Sequence, residues 1–535
     1  MRNADSTDRH WFQRLGAGML AGLVASFVMT LVMVLLRYGL GVATPAELTG
    51  DRLAPTLTIA QFFALLDRFG GYNELKQAGV AGVLLGQLAI GVLGGVLYAL
   101  VVERQRIHNG DQRRLLGNAR VSWLFVILFV GFVWLATLLF LWPVLTTHYG
   151  GLPPGQAIWV TAISLLASYS IYGLVLMFAY QMITGDEILR TPGSFNQPSS
   201  RRIVLAGGIG VLAALATGAV IRRLYSLATF SYDGTRYGGP DIQPITPNSR
   251  FYVVTKNVID PVITPAVWRL EVTGQVEQPR TYRFEDLLAM PAVTQETTLE
   301  CISNGVGDGL MSNARWKGVP LQRLLEAARP RPGVVTALLH AVDGYTDSFT
   351  FEKAMDPTTL AVYEMNGEPL PTRHGYPVRI IVPGLFGEKN VKWVTRIELV
   401  DRDVKGFYAR QGWGPNFVIP TESRFDQPSP DQTIQAQLGS AVPLKGIAFA
   451  GARGISRVEV SFDDALTWHE ARLDYRGAPM AWVLWGIDWH PTQAGRYTLV
   501  VRATDGTGIL QTPEERSFIP EGATGYHRIS VFVKS

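Results

Sequence analysis

The hydrophobic positions of the first 222 residues form long runs that contain no Asp, Glu, Lys or Arg. Each run is close to the roughly 20 residues with which a helix crosses about 30 Å of hydrocarbon. A buried helix of a soluble protein can be as apolar, but five runs in succession favour membrane-spanning helices. The pattern therefore predicts a five-helix transmembrane region over residues 1–222. The runs are Leu15–Leu36, Val80–Val102, Val121–Trp142, Ala157–Met182 and Ile203–Ile221.

Arginines that flank these runs predict their orientation. If all five runs span, three arginine-rich flanks fall on one side, and the 143–156 loop on the other side has no Lys or Arg. Because positive residues concentrate in cytoplasmic loops, we expect a multi-pass protein of the cell membrane with its C-terminal half extracytoplasmic. The flanking arginines are Arg2, Arg9, Arg14, Arg104, Arg106, Arg113, Arg114, Arg120, Arg190, Arg201 and Arg202.

The segment 200–205, Ser-Arg-Arg-Ile-Val-Leu, has the pattern of a twin-arginine export signal placed inside the chain. The alternative interpretation is a pair of arginines that only marks the cytoplasmic side. Twin-arginine export carries domains that have folded around a cofactor in the cytoplasm. A cofactor in the second half of the chain would therefore favour the export signal.

After the last run the pattern changes to short apolar stretches, evenly spread charges and frequent prolines. Residues 241–426 mix two patterns, since Trp268–Val272 alternates like a strand and Leu321–Ala328 has helical spacing. Residues 436–535 read almost entirely as short strands, which indicates an all-β sandwich of the immunoglobulin type. The Pro- and Ser-rich stretch Phe425–Thr433 is interpreted as the linker.

Composition narrows the class of protein. With 47% hydrophobic and 17% charged residues, the 535-residue chain is not a disordered one. A single cysteine, Cys301, excludes a disulfide framework. The net charge of +4 gives no reason to expect a nucleic-acid partner, because arginines that set membrane topology also raise the charge.

Cys301 follows a strand-like run and precedes the loop Ser303-Asn304-Gly305, which predicts a thiol at a strand end that faces a cavity. Lone cysteines are usually small packed hydrophobes. In an oxidising compartment, however, an unpaired thiol is a liability, so its presence beside a glycine-rich loop indicates an engaged thiolate. A soft thiolate suits a thiophilic metal, which makes Cys301 the candidate metal ligand and catalytic residue.

A second candidate cluster lies between His374 and Trp393. His374, Arg379 and Lys392 are expected at separate strand ends, where three donors can converge on an anion such as a phosphate. Solvated charges at strand ends would give the same spacing. The chain has no Walker or dinucleotide-binding motif and no zinc-ligand spacing.

Five blocks of the second half, taken in order, carry a resemblance to a known family. They are Asn248–Val254, Leu299–Asn304, Ala314–Leu321, His374–Trp393 and Arg457–Trp468. Successively they resemble the entry strand, the cysteine loop, the W-x-G-V-x-L segment, the pterin-binding stretch and the immunoglobulin-like dimerisation domain of the sulfite oxidase family. The resemblance runs from about Pro247 to Val533, which is more than half of the chain.

The resemblance implies a molybdenum–molybdopterin cofactor (Mo cofactor), to which the protein adds the Cys301 thiolate. The cofactor performs the two-electron oxygen-atom transfer, and the protein orients it. The expected architecture is five transmembrane helices, an α+β molybdopterin domain and an immunoglobulin-like sandwich. The cofactor-binding residues implied by motif position are Tyr252, Val253, Cys301, His374, Arg379, Asn390, Val391 and Lys392.

Departures from the family leave the substrate open. Sulfite-oxidising members carry an arginine shortly after the cysteine-loop asparagine, but here Asn304 is followed by a glycine-rich stretch with Asp308. An aspartate at that place would repel sulfite. The family's catalytic tyrosine is matched by Val404. Candidates to replace the missing arginine are Arg315, Arg373 and Arg410.

Together these patterns predict a membrane-anchored, extracytoplasmic Mo-cofactor oxidoreductase that acts on a small sulfur- or nitrogen-containing substrate. The alternatives are a sulfoxide reductase fed by a membrane haem partner and an inactive binding protein on the same fold. Expected partners are the lipid bilayer and an electron donor or acceptor (a quinone, a cytochrome or a haem membrane protein); a homodimer is left open. A haem between the helices is not expected, because His10, His108 and His148 lie outside the runs.

Overall fold

The computed structural model describes residues 2–109, 114–184 and 242–534, with scattered positions between 208 and 228. Among these residues the contacts define two compact units. One contains most of the described residues before 242 together with 257–260. The other contains 55–62, 242–256 and 261–534, the half whose composition indicates soluble domains.

The N-terminal half of the described chain is helical, as its hydrophobic runs predict. Its helices are α1 (Arg2–Leu40), α2 (Pro45–Leu53), α3 (Ile59–Phe69), α4 (Tyr72–Asn109), α5 (Arg114–Leu141) and α6 (Pro154–Thr184). In the described residues, four stretches are long and apolar enough to cross a membrane, which confirms helices at the first four runs. These stretches are Trp11–Leu40, Tyr72–Gln105, Arg120–Val144 and Pro154–Thr184. Most of the fifth run, Ile203–Ile221, and the Arg201–Arg202 pair lie outside the described residues.

Glycines allow α1 and α4 to pack closely. A Cβ built on Gly18 would lie 2.5 Å from the Gly95 carbonyl oxygen, and one built on Gly22 would lie 3.1 Å from Gly95 Cα. The Tyr172 hydroxyl of α6 donates to the Gly91 carbonyl at 2.6 Å. Small residues four positions apart bring helix backbones together in lipid, so this contact suits the predicted membrane region.

The first part of the second unit combines short helices with two β-sheets. Its strands are β1 (Arg269–Gly274), β2 (Arg280–Arg283), β3 (Val293–Glu300), β4 (Met311–Pro320), β5 (Thr336–Ala341), β6 (Thr346–Thr350), β7 (Leu360–Met365), β8 (Glu368–Pro369), β9 (Arg379–Ile381) and β10 (Val394–Val400). Its helices are α7 (Phe284–Ala289), α8 (Leu321–Ala328), α9 (Phe351–Ala354) and α10 (Phe407–Gln411). The sheet orders are β2-β1-β10-β5-β6 and β3-β4-β7-β8, with β9 paired to β7. The α+β prediction is confirmed.

Local sequence accounts for these elements. Trp268, Leu270 and Val272 alternate with polar residues and are fully buried in one core, as the strand pattern predicts. Helix α8 buries one apolar stripe and ends where Arg329 adopts a left-handed conformation (φ 54°) directly before Pro330, so both predicted ends are confirmed.

Beyond residue 416 the second unit is built from two sheets that enclose one core. Its strands are β11 (Glu422–Gln427), β12 (Thr433–Gln435), β13 (Val442–Phe449), β14 (Ile455–Ser461), β15 (His469–Glu470), β16 (Arg472–Arg476), β17 (Val483–Trp489), β18 (Gly495–Asp505) and β19 (His527–Lys534). The orders are β11-β13-β17-β16 and β12-β19-β18-β14-β15. The two-sheet arrangement is confirmed, and its immunoglobulin type stays a prediction.

The interpretation of Phe425–Thr433 as a linker is wrong at its start. Phe425 lies in β11, which pairs with β13, and its ring packs edge-on against Trp485 at 5.4 Å between centroids. Because β11 supplies a strand and a buried ring to the C-terminal sandwich, the domain boundary lies before Glu422 and not at 426. The first four residues of Glu422–Gln427 are all buried, the charged ones included, so this strand has no alternation of polar and apolar residues in its sequence.

Candidate active site around Cys301

Cys301 lies directly after β3, where the chain turns back toward β4. Its backbone N–H donates to the Leu310 carbonyl at 3.0 Å, and its own carbonyl accepts from the Asn304 N–H at 2.9 Å. The Asn304 side chain accepts from the Leu310 N–H at 2.9 Å and closes the loop. The predicted position of the thiol at a strand end is therefore confirmed.

The Cys301 side chain is almost completely buried, with 9% of its surface exposed. Burial raises the pKa of Cys301 to about 11, although hydrogen bonding from Ser303 works against the rise. The sulfur lies 3.1 Å from Ser303 Oγ. Such a thiol is protonated at neutral pH, and a metal ion that binds it would displace the proton.

Tyr252 shares a buried cluster with Cys301. Its ring stacks on Phe251 at 5.6 Å, and its backbone N–H donates to Ser312 Oγ at 3.1 Å. Burial raises the pKa of Tyr252 well above its ordinary value, and the neighbouring Cys301 adds to the rise. Val253 is buried beside it in the chain. The structure thus brings the predicted residue Tyr252 to the thiol.

Arg379, at the start of β9, is a buried cation for which the described part of the chain supplies no acidic partner. Its terminal nitrogens donate to the carbonyl oxygens of His374 and Asn390 at 3.1 and 3.0 Å. Its Nε is buried and has no hydrogen-bond partner among the described residues, and burial lowers the pKa of the guanidinium to about 10. A buried charge of this kind is stable only beside an anion, which an incoming phosphate would supply.

Gly375 brings the predicted anion-binding residues together. A Cβ built on it would lie 2.9 Å from Arg379 Cβ and 3.1 Å from Lys392 Cβ, and its φ of 114° suits glycine alone. The Lys392 ammonium donates to the Arg373 carbonyl at 3.1 Å and lies 4.3 Å from the Trp393 ring.

His374 differs in its hydrogen bonding from the donor to an anion that the sequence predicts. The pKa of His374 is lowered to about 3, chiefly by burial and also by the nearby Arg379, so the ring is neutral at physiological pH. Its Nε2 lies 3.1 Å from the Asn248 carbonyl oxygen and donates its one proton there. Toward a bound molecule the ring therefore offers an acceptor and not the expected donor.

Asn390 and Val391 serve the loop that carries Arg379. The Asn390 side chain accepts from the Val382 N–H at 2.7 Å and donates to the Phe386 carbonyl at 3.1 Å. Val391 packs in the hydrophobic core of the domain. Both hold backbone in place, and their direct contact with a cofactor stays a prediction.

Two buried carboxyl groups at the cysteine loop escaped the sequence analysis. Glu300 accepts from the Asn304 amide at 3.0 Å and is also hydrogen-bonded to Glu422 of β11. Burial raises the pKa of both carboxyl groups, so the pair shares a proton. The sequence does carry a signal for Glu300, because it directly precedes Cys301 at the end of a predicted strand. Glu422 comes from the other domain and has no local signal.

The arginines suggested as replacements are dispersed. Arg315 lies opposite Glu296 on β4, four register steps from the strand end that carries Cys301, or roughly 13 Å away. Its side chain is 61% exposed and pairs with Glu296 at 3.8 Å. Arg410 donates to Thr346 Oγ1 at 3.3 Å. Arg315 is therefore not available to hold an anion at the thiol.

These residues fit a metal that is held by an organic, phosphate-bearing cofactor. In the part of the chain that the structure describes, no group of three or more His, Cys, Asp and Glu side chains is arranged to hold a metal ion. Within residues 242–534, this site offers the thiol of Cys301 and a buried cation, Arg379, that lacks an anion. This donor set suits a soft metal whose remaining ligands come from the cofactor.

Comparison with known families defines the class. Residues 257–408 match the oxidoreductase molybdopterin binding domain, and residues 416–534 match the Mo-co oxidoreductase dimerisation domain. The fold and site are thus those of a molybdopterin-binding oxidoreductase. Sulfite oxidase from Gallus gallus is 30% identical, a match that covers 50% of this chain and 68% of that protein. The chain belongs to the sulfite oxidase family.

Other relatives match a similar share of the chain. Mitochondrial sulfite oxidase from Homo sapiens is 32% identical over 54% of this chain and 62% of that protein, and the Rattus norvegicus enzyme is 31% identical over 50% and 57%. NADH nitrate reductase from Ulva prolifera is 28% identical over 49% of this chain and 37% of that protein. The chain spans only about three fifths of the length of the mammalian relatives. Among solved structures, sulfane dehydrogenase SoxCD from Paracoccus pantotrophus is 28% identical, covering 50% of this chain and 75% of that chain with a TM-score of 0.46.

Proposed function

We propose that the chain is a membrane-anchored, extracytoplasmic Mo-cofactor oxidoreductase that transfers an oxygen atom to or from a small sulfur- or nitrogen-containing substrate. One observation carries the proposal: the buried thiol Cys301 and the buried cation Arg379, which has no acidic partner among the described residues, both act electrostatically on the buried Tyr252. Family membership and the two domain matches support the cofactor. The bound cofactor would supply two-electron oxygen-atom transfer.

Several residues of the site would contribute to cofactor binding, each in a different way. Cys301 would bind the metal through its thiolate, and the Asn304 side chain would fix the loop that presents it. Arg379 and Lys392 would balance phosphate charge. Tyr252 would cover the apolar side of the thiol, because both belong to one buried cluster.

Membrane anchoring and the extracytoplasmic location are part of the proposal. Four helices of sufficient length and apolarity support anchoring, and the arginine-rich flanks support the orientation. In spheroplasts, added protease should remove an epitope tag placed at the C-terminus, because that half of the chain lies outside the cytoplasm. Replacing Arg201 and Arg202 together by Lys should protect the tag if the pair acts as an export signal. A protected tag on the native sequence would contradict the orientation.

An electron partner and a second copy of the chain complete the proposal. The four candidate spans contain no histidine, so a quinone, a cytochrome or a separate haem membrane protein is proposed as the electron partner. The match of residues 416–534 to a dimerisation domain supports a homodimer. Sedimentation of the purified chain in detergent should give the mass of two copies.

Molybdenum and pterin analysis of the purified chain tests the function. About one molybdenum per chain is expected, followed by turnover of sulfite, a sulfoxide or an N-oxide with a redox dye. Cys301→Ser should abolish turnover with the fold retained, because a hydroxyl is a poor ligand for a soft metal. Wild-type protein that lacks molybdenum, although the cells make the cofactor, would favour the alternative of an inactive binding protein.

A further inference from the structure

Glu388 has a buried carboxyl group that plays no part in the cofactor binding proposed above. It lies in the 3-10 turn Gly387–Lys389. Both of its carboxyl oxygens are buried, and neither has a hydrogen-bond partner in residues 242–534. A buried polar group without a partner costs about 1–3 kcal/mol, so a carboxyl group in this state points to a missing ligand.

The turn that carries Glu388 packs directly on the cysteine site. A Cβ built on Gly387 would lie 2.5 Å from the Tyr252 hydroxyl oxygen and 3.1 Å from the Glu300 carbonyl oxygen. Glycine therefore allows the turn to touch the residue that precedes Cys301. The Glu388 carboxyl acts electrostatically on both Cys301 and Tyr252.

The neighbouring cation does not neutralise Glu388. The Lys389 ammonium lies 2.7 Å from Asp347 Oδ1 and 3.7 Å from the centre of the Phe417 ring. The Tyr345 hydroxyl, 2.8 Å from Asp347 Oδ2 and 3.0 Å from the Glu388 carbonyl oxygen, holds the turn from the other side. Lysine and tyrosine are thus both committed to Asp347, and the Glu388 side chain is left for another partner.

The charged groups around Glu388 are mostly acidic. The pKa of Glu388 is raised to about 8, chiefly by burial and also by Asp347 and Glu300, while Lys389 opposes the rise. At neutral pH the group therefore carries a proton and offers one O–H donor. A buried protonated carboxyl donates well to an uncharged oxygen acceptor, whereas the ionised form repels an anion.

We propose that Glu388 contacts the substrate in the Cys301 site and selects an uncharged oxide, such as a sulfoxide or an amine N-oxide, over an oxyanion such as sulfite. This inference rests on the proposed function. An oxyanion would need a fixed cation, but Arg379 and Lys392 are assigned to the phosphate of the cofactor in the proposed function, and Lys389 is paired with Asp347. An uncharged oxide needs only the donor that Glu388 supplies.

The test uses the full-length holoenzyme and three variants. Glu388→Leu removes the donor, Glu388→Gln keeps a donor of the same shape, and Glu326→Gln is the control. Glu326 lies at the exposed end of α8, where its carboxylate accepts from Gln322 at 2.7 Å. The readouts are molybdenum content, dye-linked turnover of dimethyl sulfoxide and of sulfite, and the shift of the melting temperature with sulfate.

The wild type should use dimethyl sulfoxide in preference to sulfite. Glu388→Leu should lose about tenfold or more in kcat/KM for dimethyl sulfoxide, the loss expected for one buried hydrogen bond. Glu388→Gln should stay within about threefold of the wild type, since its amide still donates. At a pH above 8, where the wild-type Glu388 carboxyl is ionised and repels anions, sulfate should raise the melting temperature of Glu388→Gln and not that of the wild type.

Two results would overturn the inference while leaving the proposed function standing. One is a molybdenum-loaded Glu388→Leu that turns over dimethyl sulfoxide as well as Glu326→Gln does. The other is a wild type that prefers sulfite. If Glu388→Leu loses molybdenum, the sulfate experiment on Glu388→Gln decides instead. A melting temperature of Glu388→Gln that responds to sulfate no more than that of the wild type would count against the inference. Wild-type protein without molybdenum would overturn the proposed function itself, and the inference with it.

Discussion

Glu300 and Asn304 are joined by a 3.0 Å hydrogen bond across the turn that carries Cys301. The same Asn304 side chain accepts from the Leu310 N–H at 2.9 Å, so one amide ties both sides of the cysteine loop. Glu300 is in turn hydrogen-bonded to Glu422 of the C-terminal sandwich. The position of the thiol therefore depends on polar residues that the other domain helps to hold.

Replacing Asn304 with Ala should loosen this loop. The variant removes two hydrogen bonds and leaves the buried Glu300 carboxyl without its amide donor, so the free energy of unfolding should fall by about 2–4 kcal/mol. Chemical denaturation of the purified chain measures the loss, and metal analysis should show reduced molybdenum. Asn416→Ala, at an exposed turn, is the control and should change little. Full molybdenum and unchanged stability in Asn304→Ala would refute the role.

Arg379→Lys should bind the cofactor poorly although the charge is kept. The guanidinium spans two carbonyl oxygens, those of His374 and Asn390, and one ammonium does not reproduce that fork. We expect pterin content to fall at least tenfold, measured by pterin fluorescence after extraction. Arg402→Lys, on an exposed side chain, serves as the control. Wild-type pterin content in Arg379→Lys would show that charge alone is sufficient.

The buried pair Lys389–Asp347 should respond to single and double substitution in opposite ways. Lys389→Met leaves Asp347 buried without its cation and should cost about 3–5 kcal/mol of unfolding free energy. Adding Asp347→Leu removes the orphaned charge and should recover more than half of the loss. Thermal and denaturant unfolding of the three chains tests the pair. A double variant that is less stable than the single one would contradict this account.

Stability should fall in acid partly because of His374. The pKa of its ring is lowered to about 3 in the folded chain, chiefly by burial, whereas an unfolded histidine titrates near 6.5. The unfolded state therefore takes up a proton first as the pH falls, and stability is lost between about pH 6.5 and pH 3. The melting temperature of His374→Gln should depend less steeply on pH over this range. Equal slopes for the two chains would assign the acid sensitivity elsewhere.

The sequence predicts elements well where local pattern and burial agree. Trp268–Val272 and Leu321–Ala328 follow the strand and helix periods, and the structure has a buried strand end and a helix at those places. Glu422–Gln427 fails for a physical reason: its Arg424 is buried by a hydrogen bond to Asp426 of the same strand and by another to the distant Asp308 carbonyl, so the strand looks like a polar linker.

The sequence predicted where Cys301 and Arg379 lie in the fold but not the electrostatics around them, and their roles as ligands stay predictions. Cys301 and Arg379 stand at strand ends, as their patterns predict. The neutral state of His374 depends on burial and on the neighbouring Arg379, which spacing does not reveal. The pairing of Lys389 with Asp347, which leaves Glu388 without a partner, depends on a contact between segments more than 40 residues apart.

X-ray absorption at the molybdenum edge tests the central claim most directly, because it counts the sulfur atoms bound to the metal. The account predicts that molybdenum in the wild type has one more sulfur ligand than molybdenum retained by Cys301→Ser. An equal number of sulfur ligands in the two proteins would show that the Cys301 thiolate does not bind the metal.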